Sequence, residues 1–201
     1  YVVTEIDFCP PRKEVYSMPL PQEKYYTAEE FYNLPDEIHA ELINGEIVYM
    51  AAPSTIHQII SSELHFAINS YIKSKAGHCR ALAAPFGVQL HKGEDTVLEP
   101  DISVICDTDK ITPRGCTGAP DWIIEIVSPS NPGHDYITKL GLYHNAGVRE
   151  YWIVDAQHRQ VYVYNMDNDD LTLNAYSFDD TVRVGIYEDL YIDFSSLDLG
   201  L

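Results

Sequence analysis

Trp122-Ile123-Ile124-Glu125-Ile126-Val127 is an apolar run interrupted by a single charge, that of Glu125. Its aromatic and β-branched residues are typical of a buried strand at the centre of a sheet. A lone carboxylate in such a strand loses on the order of several kcal/mol of hydration unless it is paired, protonated or bound to a metal. Glu125 is therefore a candidate functional residue. The alternative is a carboxylate at a strand edge, or one paired with a buried Arg or Lys.

A second carboxylate stands at the start of the preceding predicted strand. Asp101 follows directly after Pro100, whose ring favours an extended backbone at this point. An Asp at a strand start is commonly a turn or cap residue. Carboxylates on adjacent strands can approach to about 5 Å, however, and that spacing suits one hard cation. Asp101 and Glu125 together therefore predict a site for a divalent metal ion.

Lys139 is the first lysine or arginine after Glu125 in the chain. It lies in a predicted helix from about residue 135 to 145, which ends at Gly147, a residue typical of a helix C-terminus. Side chains two residues apart on a strand share a face, and Val127 at that position carries no charge. Lys139 is therefore the candidate cation of the site. The alternative is an ordinary solvent-facing lysine.

The other local patterns predict a mixed α/β order of elements. Thr27 and Glu30 form a capping box that opens a short helix, and a second short helix is expected from Asp36. Asn44-Gly45 predicts a type I′ hairpin. Apolar residues at helical spacing predict a longer helix from about residue 55 to 75. Strands are predicted at 80–91, 98–106, 121–128 and 151–155, followed by a meander at 161–164, 171–177 and 182–187.

The composition is that of a folded, acidic protein. The chain is 45% hydrophobic, which excludes disorder, and 13 Lys and Arg against 31 Asp and Glu give a formal charge of −18. That charge argues against non-specific adhesion to nucleic acid or anionic lipid, though not against contact with phosphate through a divalent metal. No apolar stretch is long enough for a membrane span, and no signal peptide is visible. The four cysteines form no C-x-x-C pair, so we expect reduced thiols and a cytoplasmic protein.

The candidate residues also carry a family resemblance. Pro100-Asp101 followed by Glu125-x-Val127 resembles the PD-(D/E)XK signature of restriction-endonuclease-like nucleases, with the lysine displaced to Lys139. Over about residues 25–195 the ordered motifs resemble the Uma-two family of putative restriction endonucleases. Asn44 stands where that family usually has an acidic residue. The motifs are Tyr26-Thr27-Ala28-Glu29-Glu30-Phe31, Glu41-Leu42-Ile43-Asn44-Gly45-Glu46, His57-Gln58, Glu99-Pro100-Asp101-Ile102-Ser103-Val104, Glu125-Ile126-Val127-Ser128-Pro129-Ser130, Asp135 with Lys139, Tyr143, and Gly147-Val148-Arg149-Glu150-Tyr151-Trp152-Ile153-Val154-Asp155.

The resemblance implies a fold class and a domain organisation. The fold would be α/β (α+β), a restriction-endonuclease-like core in which a central mixed β-sheet is flanked by helices, with an N-terminal hairpin and a C-terminal β meander. Residues 25–195 would form this single domain. Residues 1–24, which contain several prolines, would be an extended N-terminal arm, and residues 196–201 would be a C-terminal tail.

The resemblance also implies a metal site. Asp101, Glu125 and the backbone carbonyl of Ile126 would hold Mg²⁺ or Mn²⁺. Lys139 would assist the attacking water or the transition state. The implied activity is that of a metal-dependent endonuclease that hydrolyses DNA phosphodiester bonds, expected as a homodimer because both strands of a duplex must be cut.

Three further residues are expected around this site. Glu41, expected at the end of the early helix, would complete the acidic cluster or hold a second cation through water. His57 and Gln89 would lie next to the cluster. For His57, a helix-capping role is the alternative.

Two other functions compete with the nuclease. The first is a catalytically idle restriction-endonuclease-like fold that acts as a protein-interaction or assembly module, which the absence of a visible basic stripe favours. The second is a hydrolase that uses Asp101 and Glu125 on a glycoside or similar substrate, for which the sequence offers no sugar-specific residue. The acidic pair and Lys139 favour the nuclease.

Overall fold

The computed structural model describes residues 24–35, 37–127, 134–167 and 171–199, so most of the predicted N-terminal arm lies outside the described residues. The helices are α1 (Ala28–Tyr32), α2 (Thr55–Ser74) and α3 (Leu140–Ala146), the last preceded by a π-helical turn (His134–Lys139). None of the helices described is long and apolar enough to cross a bilayer. The strands are β1 (Ala40–Ile43), β2 (Glu46–Tyr49), β3 (Arg80–Ala83), β4 (Val88–Gln89), β5 (Val97–Leu98), β6 (Ile102–Ile105), β7 (Ile111–Thr112), β8 (Gly115–Thr117), β9 (Trp122–Ile126), β10 (Glu150–Asp155), β11 (Gln160–Asn165), β12 (Thr172–Ser177), β13 (Thr181–Arg183) and β14 (Tyr191–Asp193).

Two six-stranded mixed sheets make up most of the fold. The first has the strand order β2-β1-β5-β4-β8-β7, and the second has the order β12-β11-β10-β9-β6-β3. In the second sheet β9 runs parallel to β10 and antiparallel to β6. β13 and β14 form a separate antiparallel pair. The predicted α+β class is confirmed, with the strands arranged mainly in two large mixed sheets.

Two prolines mark the points where the chain passes between the sheets. The strand predicted over residues 80–91 is split by Pro85 into β3, in the second sheet, and β4, in the first. The strand predicted over 98–106 is split by Pro100 into β5, in the first sheet, and β6, in the second. Proline has no N–H to donate to a strand ladder, so each of these runs is interrupted at its proline.

Three local predictions from the sequence are confirmed: the start of one helix, a turn between two strands and the end of another helix. The Thr27 hydroxyl accepts a hydrogen bond from the N–H of Glu30, whose carboxylate accepts one from the N–H of Thr27. Asn44 and Gly45 have φ angles of 50° and 84°, as a type I′ turn requires. Gly147 ends α3 with a φ of 89°. In each case side-chain or backbone chemistry within a few residues determines the conformation.

Glu41 lies in a strand, so its predicted place at a helix end was wrong. Residue 37 is in a turn and residues 38 and 39 have no regular secondary structure, so the helix predicted from Asp36 does not form over them. β1 begins directly afterwards and is paired on both sides, with β2 and with β5. All four of its residues are buried because it is an interior strand. Strand pairing across the Asn44-Gly45 turn therefore overrides any helical preference here.

Alternation along β9 assigns its side chains to two apolar layers. One layer contains the buried face of α2 together with Trp122, Ile124 and Ile126. The other contains Ile123 and Val127 together with Tyr143 of α3 and residues of the first sheet. Side chains two apart on a strand share a face, so Glu125 points into this second layer. The carboxylate therefore enters the region between the two sheets.

The cysteines differ from the prediction. Cys79 and Cys106 form a disulfide bond, so the expectation of reduced thiols was wrong for this pair. Cys79 precedes β3 and Cys106 follows β6, and the register of these two strands places the cysteines opposite each other. The cytoplasmic location expected from reduced thiols loses that support. Cys116 is free and buried, and burial raises the pKa of its thiol to about 11.

Candidate active site

Asp101 and Glu125 face each other across the β6–β9 pair. The ladder pairs Ile102 with Ile124, and continuing its antiparallel register by one residue places Asp101 opposite Glu125. Directly opposed Cβ atoms lie about 4.5 to 5.5 Å apart. Asp101 Oδ2 accepts a hydrogen bond from the backbone N–H of Ile126 at 2.7 Å, which fixes this carboxylate against the end of β9. The structure therefore brings together the two carboxylates that the sequence singled out.

The carboxylate of Glu125 is buried and held by two donors. Its side chain accepts a hydrogen bond from the Tyr143 hydroxyl at 2.7 Å and from Lys139 Nζ at 2.9 Å, both at Oε1. Glu125 is only 4% exposed, so these contacts replace the hydration that the strand removes. The pairing with a buried lysine, one of the alternatives that the sequence left open, is part of the arrangement.

Lys139 joins two buried carboxylates from different sheets. Its Nζ lies 2.9 Å from Glu125 Oε1 and 2.9 Å from Glu41 Oε1. Glu41 also accepts a hydrogen bond from the backbone N–H of Glu99 at 2.9 Å. Lys139 is 5% exposed and Glu41 is 2% exposed, so the solvent-facing alternative for the lysine was wrong. The cluster thus links β1, β9 and the segment that precedes α3.

Carboxylates outnumber cations in this region. Glu41 and Glu125 both contact the ammonium group of Lys139, and Asp101 lies opposite Glu125. Burial, and then the negative charge of Glu41, raise the pKa of Glu99 above its usual range. The part of this rise that Glu41 causes reflects its negative charge, which a bound cation would partly offset.

Tyr143 remains a hydrogen-bond donor to Glu125. Complete burial, and then the charges of Glu125 and Glu41, raise the pKa of its phenol well above the usual range. The hydroxyl therefore keeps its proton at neutral pH and presents it to Glu125 Oε1. This contact orients Glu125 without adding charge to the cluster.

His57 lies in the first turn of α2, and its ring reaches the site. Its backbone N–H donates to Ser54 Oγ at 3.3 Å, which is the N-terminal cap of the helix. Its ring Nε2 lies 3.1 Å from Asp101 Oδ2. The cap residue is Ser54, so the capping alternative for His57 was wrong, while its ring faces the same side of the site as Asp101.

Gln89 has a different environment from the one predicted. Its side-chain amide donates to the carbonyl of Glu94 at 3.0 Å, in the turn between β4 and β5. This hydrogen bond holds the amide in a turn of the first sheet, so the structure does not group it with the carboxylates.

The donor atoms fit a hard divalent cation. Within the described ranges no group of three His, Cys, Asp or Glu side chains is arranged to hold a metal. The candidate set instead combines Asp101, Glu125 and the carbonyl of Ile126, whose N–H already points to Asp101. The N–H and C=O of a strand residue face the same neighbour, so that carbonyl is expected on the Asp101 side. Mg²⁺ keeps several waters, so two or three protein oxygens are sufficient.

The sequence analysis did not identify two groups that donate hydrogen bonds to the cluster, the Tyr143 hydroxyl and the backbone N–H of Glu99. Tyr143 lies four residues after Lys139, a spacing that places both on one helical face and could have identified it as a partner. Glu99 contributes through its backbone N–H, and no side-chain pattern signals that. Both contributions depend on which atoms meet in three dimensions.

The fold of the chain is restriction-endonuclease-like. The Uma2 family model, described as "Putative restriction endonuclease", matches residues 28–195, and the chain belongs to that family. The crystal structure of "a putative nuclease belonging to DUF820" from Anabaena variabilis is similar, with a TM-score of 0.69 and 27% identity over 85% of this chain and 96% of that chain. An uncharacterized protein of Synechocystis is 28% identical over 142 residues, 69% of this chain and 73% of that protein. Family and fold support a restriction-endonuclease-like nuclease.

Proposed function

We propose that the chain is a divalent-metal-dependent endonuclease that hydrolyses phosphodiester bonds in DNA. The observation that carries the proposal is the convergence of Asp101, Glu125 and Lys139 at one end of the β6–β9 pair. Membership of the family supports the same class of reaction. We further propose a homodimer, because cutting both strands of a duplex requires two such sites.

The two carboxylates are held in place before any substrate binds. The N–H of Ile126 fixes Asp101, and the hydroxyl of Tyr143 fixes Glu125. In the proposal these carboxylates and the carbonyl of Ile126 hold Mg²⁺ or Mn²⁺, which when bound activates water and neutralises charge on the phosphate oxygens. Fixed ligands of this kind cost little reorganisation during the reaction.

Lys139 supplies the positive charge that the chain itself brings to the reaction. Its Nζ lies beside Glu125, so in the proposal it orients the attacking water or donates to the negatively charged transition state. Glu41 holds the other side of Nζ and limits where the ammonium group can point. His57, through its contact with Asp101, orients the first carboxylate.

One observation favours a second candidate, the catalytically idle interaction module. Lys139 is already held between two buried carboxylates. A buried ion pair of this kind can have a purely structural role, in which it specifies the fold and takes no part in catalysis. In that case the cluster would be retained without divalent-metal chemistry. The two candidates differ in whether Asp101 and Glu125 act on a phosphodiester bond.

Incubation with supercoiled plasmid and Mn²⁺ tests the proposal. The unmodified chain is expected to nick or linearise the plasmid, and Asp101→Asn or Glu125→Gln to lower the rate by about 100-fold or more. Glu188→Gln, which neutralises an exposed carboxylate, is the matched control and should cut normally. Cleavage that persists in Asp101→Asn, or that proceeds in chelator, would contradict the proposal. No cleavage by the unmodified chain of plasmid, linear duplex or single strands would favour the idle module.

A further inference from the structure

A cavity of about 260 Å³ lies next to the acidic cluster. Its walls come from α1 and the segment after it, the start of β1, the loop before β4, the residue before Pro100 and the turn between β7 and β8. The lining residues that carry the argument are Phe31, Tyr32, His39, Pro85, Glu99 and Arg114. The active-site proposal makes no use of this cavity.

The cavity and the cluster share a wall. Two lining residues stand next to the cluster in the chain: Ala40 directly precedes Glu41, and Glu99 is separated from Asp101 only by Pro100. The backbone N–H of Glu99 donates to Glu41 Oε1 at 2.9 Å, so the shared wall is fixed directly to the cluster. A ligand in the cavity is therefore next to the phosphodiester bond that the cluster is proposed to cut.

The lining combines aromatic, cationic and hydrogen-bond-accepting groups. The rings of Phe31 and Tyr32 meet edge to face, with centroids 5.9 Å apart. The guanidinium of Arg114 lies 5.4 Å from the centre of the Tyr32 ring and pairs with Glu29. Aromatic rings and Arg planes bind flat π systems, and Arg also favours a ligand that is attached to phosphate. The carboxyl of Glu99 adds an acceptor at the side nearest the cluster.

We propose that this cavity receives one unpaired nucleobase of the substrate strand, with a preference for bases that carry an exocyclic amine. The inference rests on the proposed nuclease function and adds the part of the substrate that is recognised. The volume suits a single base and not a stacked duplex. Glutamate accepts from the amine of cytosine, whereas thymine offers no exocyclic donor there. The base can come from a single strand or be rotated out of a duplex.

Binding of fluorescent oligonucleotides of about 12 residues tests the inference. Ca²⁺ replaces Mg²⁺ in the assay, because it neutralises the same oxygen ligands. Oligo-dC is expected to bind about tenfold more tightly than an abasic strand of equal charge, and also more tightly than oligo-dT. A duplex with one unpaired cytosine, compared with the fully paired duplex, distinguishes a rotated base from a single strand.

Variants locate the effect in the cavity. Tyr32→Leu should abolish the difference between oligo-dC and the abasic strand, and Tyr32→Phe should keep it because the ring remains. Tyr191→Leu removes an exposed tyrosine from β14 as the matched control. Glu99→Gln should reduce the preference for dC over dT, because an amide can also donate to thymine. Melting curves confirm that each variant is folded.

The outcomes separate this inference from the proposed function. Equal affinity of the unmodified chain for oligo-dC and the abasic strand would overturn the cavity proposal, even if plasmid cleavage is observed. A base preference that survives Tyr32→Leu in a folded variant would overturn it as well. A preference that is lost in Tyr32→Leu, together with no cleavage under any condition, would support the cavity while refuting the nuclease.

Discussion

Replacement of Lys139 by Met tests the electrostatic description of the cluster. The substitution keeps an unbranched apolar stem and removes Nζ, the only lysine nitrogen that contacts both Glu41 and Glu125 in the described part of the chain. Because each Oε1 lies 2.9 Å from Nζ, the two oxygens are at most about 6 Å apart. Removing the cation therefore leaves two like charges buried side by side.

The expected loss of stability is large. Breaking a buried ion pair from one side costs about 3 to 5 kcal/mol, since the remaining charge is neither hydrated nor paired. For a domain of this size, 1 kcal/mol shifts the melting temperature by about 2 to 4 °C. Lys139→Met is thus expected to melt about 6 to 20 °C below the unmodified chain at neutral pH. Lys73→Met, at an exposed position of α2, should melt within a few degrees of it.

The pH dependence of this loss distinguishes charge from packing. In Lys139→Met two buried carboxylates face each other without their shared cation, and uptake of a proton relieves that repulsion, so stability is gained as pH falls. The difference in melting temperature from the unmodified chain should therefore narrow between about pH 7 and pH 5. A difference that is constant over this range would mean lost packing, and a loss below about 1 kcal/mol would refute the buried ion pair.

Three further outcomes follow from the same contacts. Glu99→Gln should raise stability at neutral pH. Burial and Glu41 raise the pKa of Glu99, so the stability that this group contributes is present below its unfolded pKa and is lost as pH rises through its folded pKa. Between about pH 4 and pH 7 the melting temperature of the variant should therefore fall less steeply with pH than that of the unmodified chain. Tyr143→Phe should lose about 1.5 to 3 kcal/mol in urea unfolding because a buried hydrogen bond to a carboxylate is removed, while Tyr191→Phe, at an exposed position, should lose almost nothing. Mg²⁺ or Mn²⁺ at about 100 times its Kd should add about 2.7 kcal/mol of stability, and Glu125→Gln should abolish that gain; a melting temperature that neither metal changes would exclude the metal site.

The sequence predicted best those features that neighbouring residues control. The capping box, the Asn44-Gly45 turn and the Gly147 helix end each depend on contacts within about four residues. That a separate first sheet exists was missed, because β4 and part of β5 lie within longer predicted strands and because β7 and β8, with two and three residues, are too short for any periodicity. The Cys79–Cys106 bond was missed for a related reason, since only the register of β3 with β6 brings the cysteines together.

The sequence predicted that part of the candidate site in which a charged residue lies in a buried strand. Glu125 was identified because a carboxylate in an apolar strand requires a partner, and the structure supplies Lys139 and Tyr143. Glu41 was expected near the cluster but on the wrong element, because the strand pairing that positions it involves residues far away in the chain. The cavity beside Glu99 left no sequence signal, since its walls come from four separate stretches of the chain.

The formal charge of −18 bears on the order in which this chain would meet metal and DNA. Four acidic residues lie within or beside the cluster, and Lys139 lies among them: Glu41, Glu99, Asp101 and Glu125. A phosphate group that approaches without a cation is therefore repelled. A divalent ion held by Asp101 and Glu125 changes that balance at the point of contact, while Arg114 offers a cation at the neighbouring cavity. Metal binding is therefore expected to control DNA affinity as well as the chemical step. Titration of labelled DNA should give a Kd that falls as Ca²⁺ is added, and the same titration of Glu125→Gln should show little change. Equal affinity in chelator and in Ca²⁺ would mean that DNA binds through a surface other than the acidic cluster.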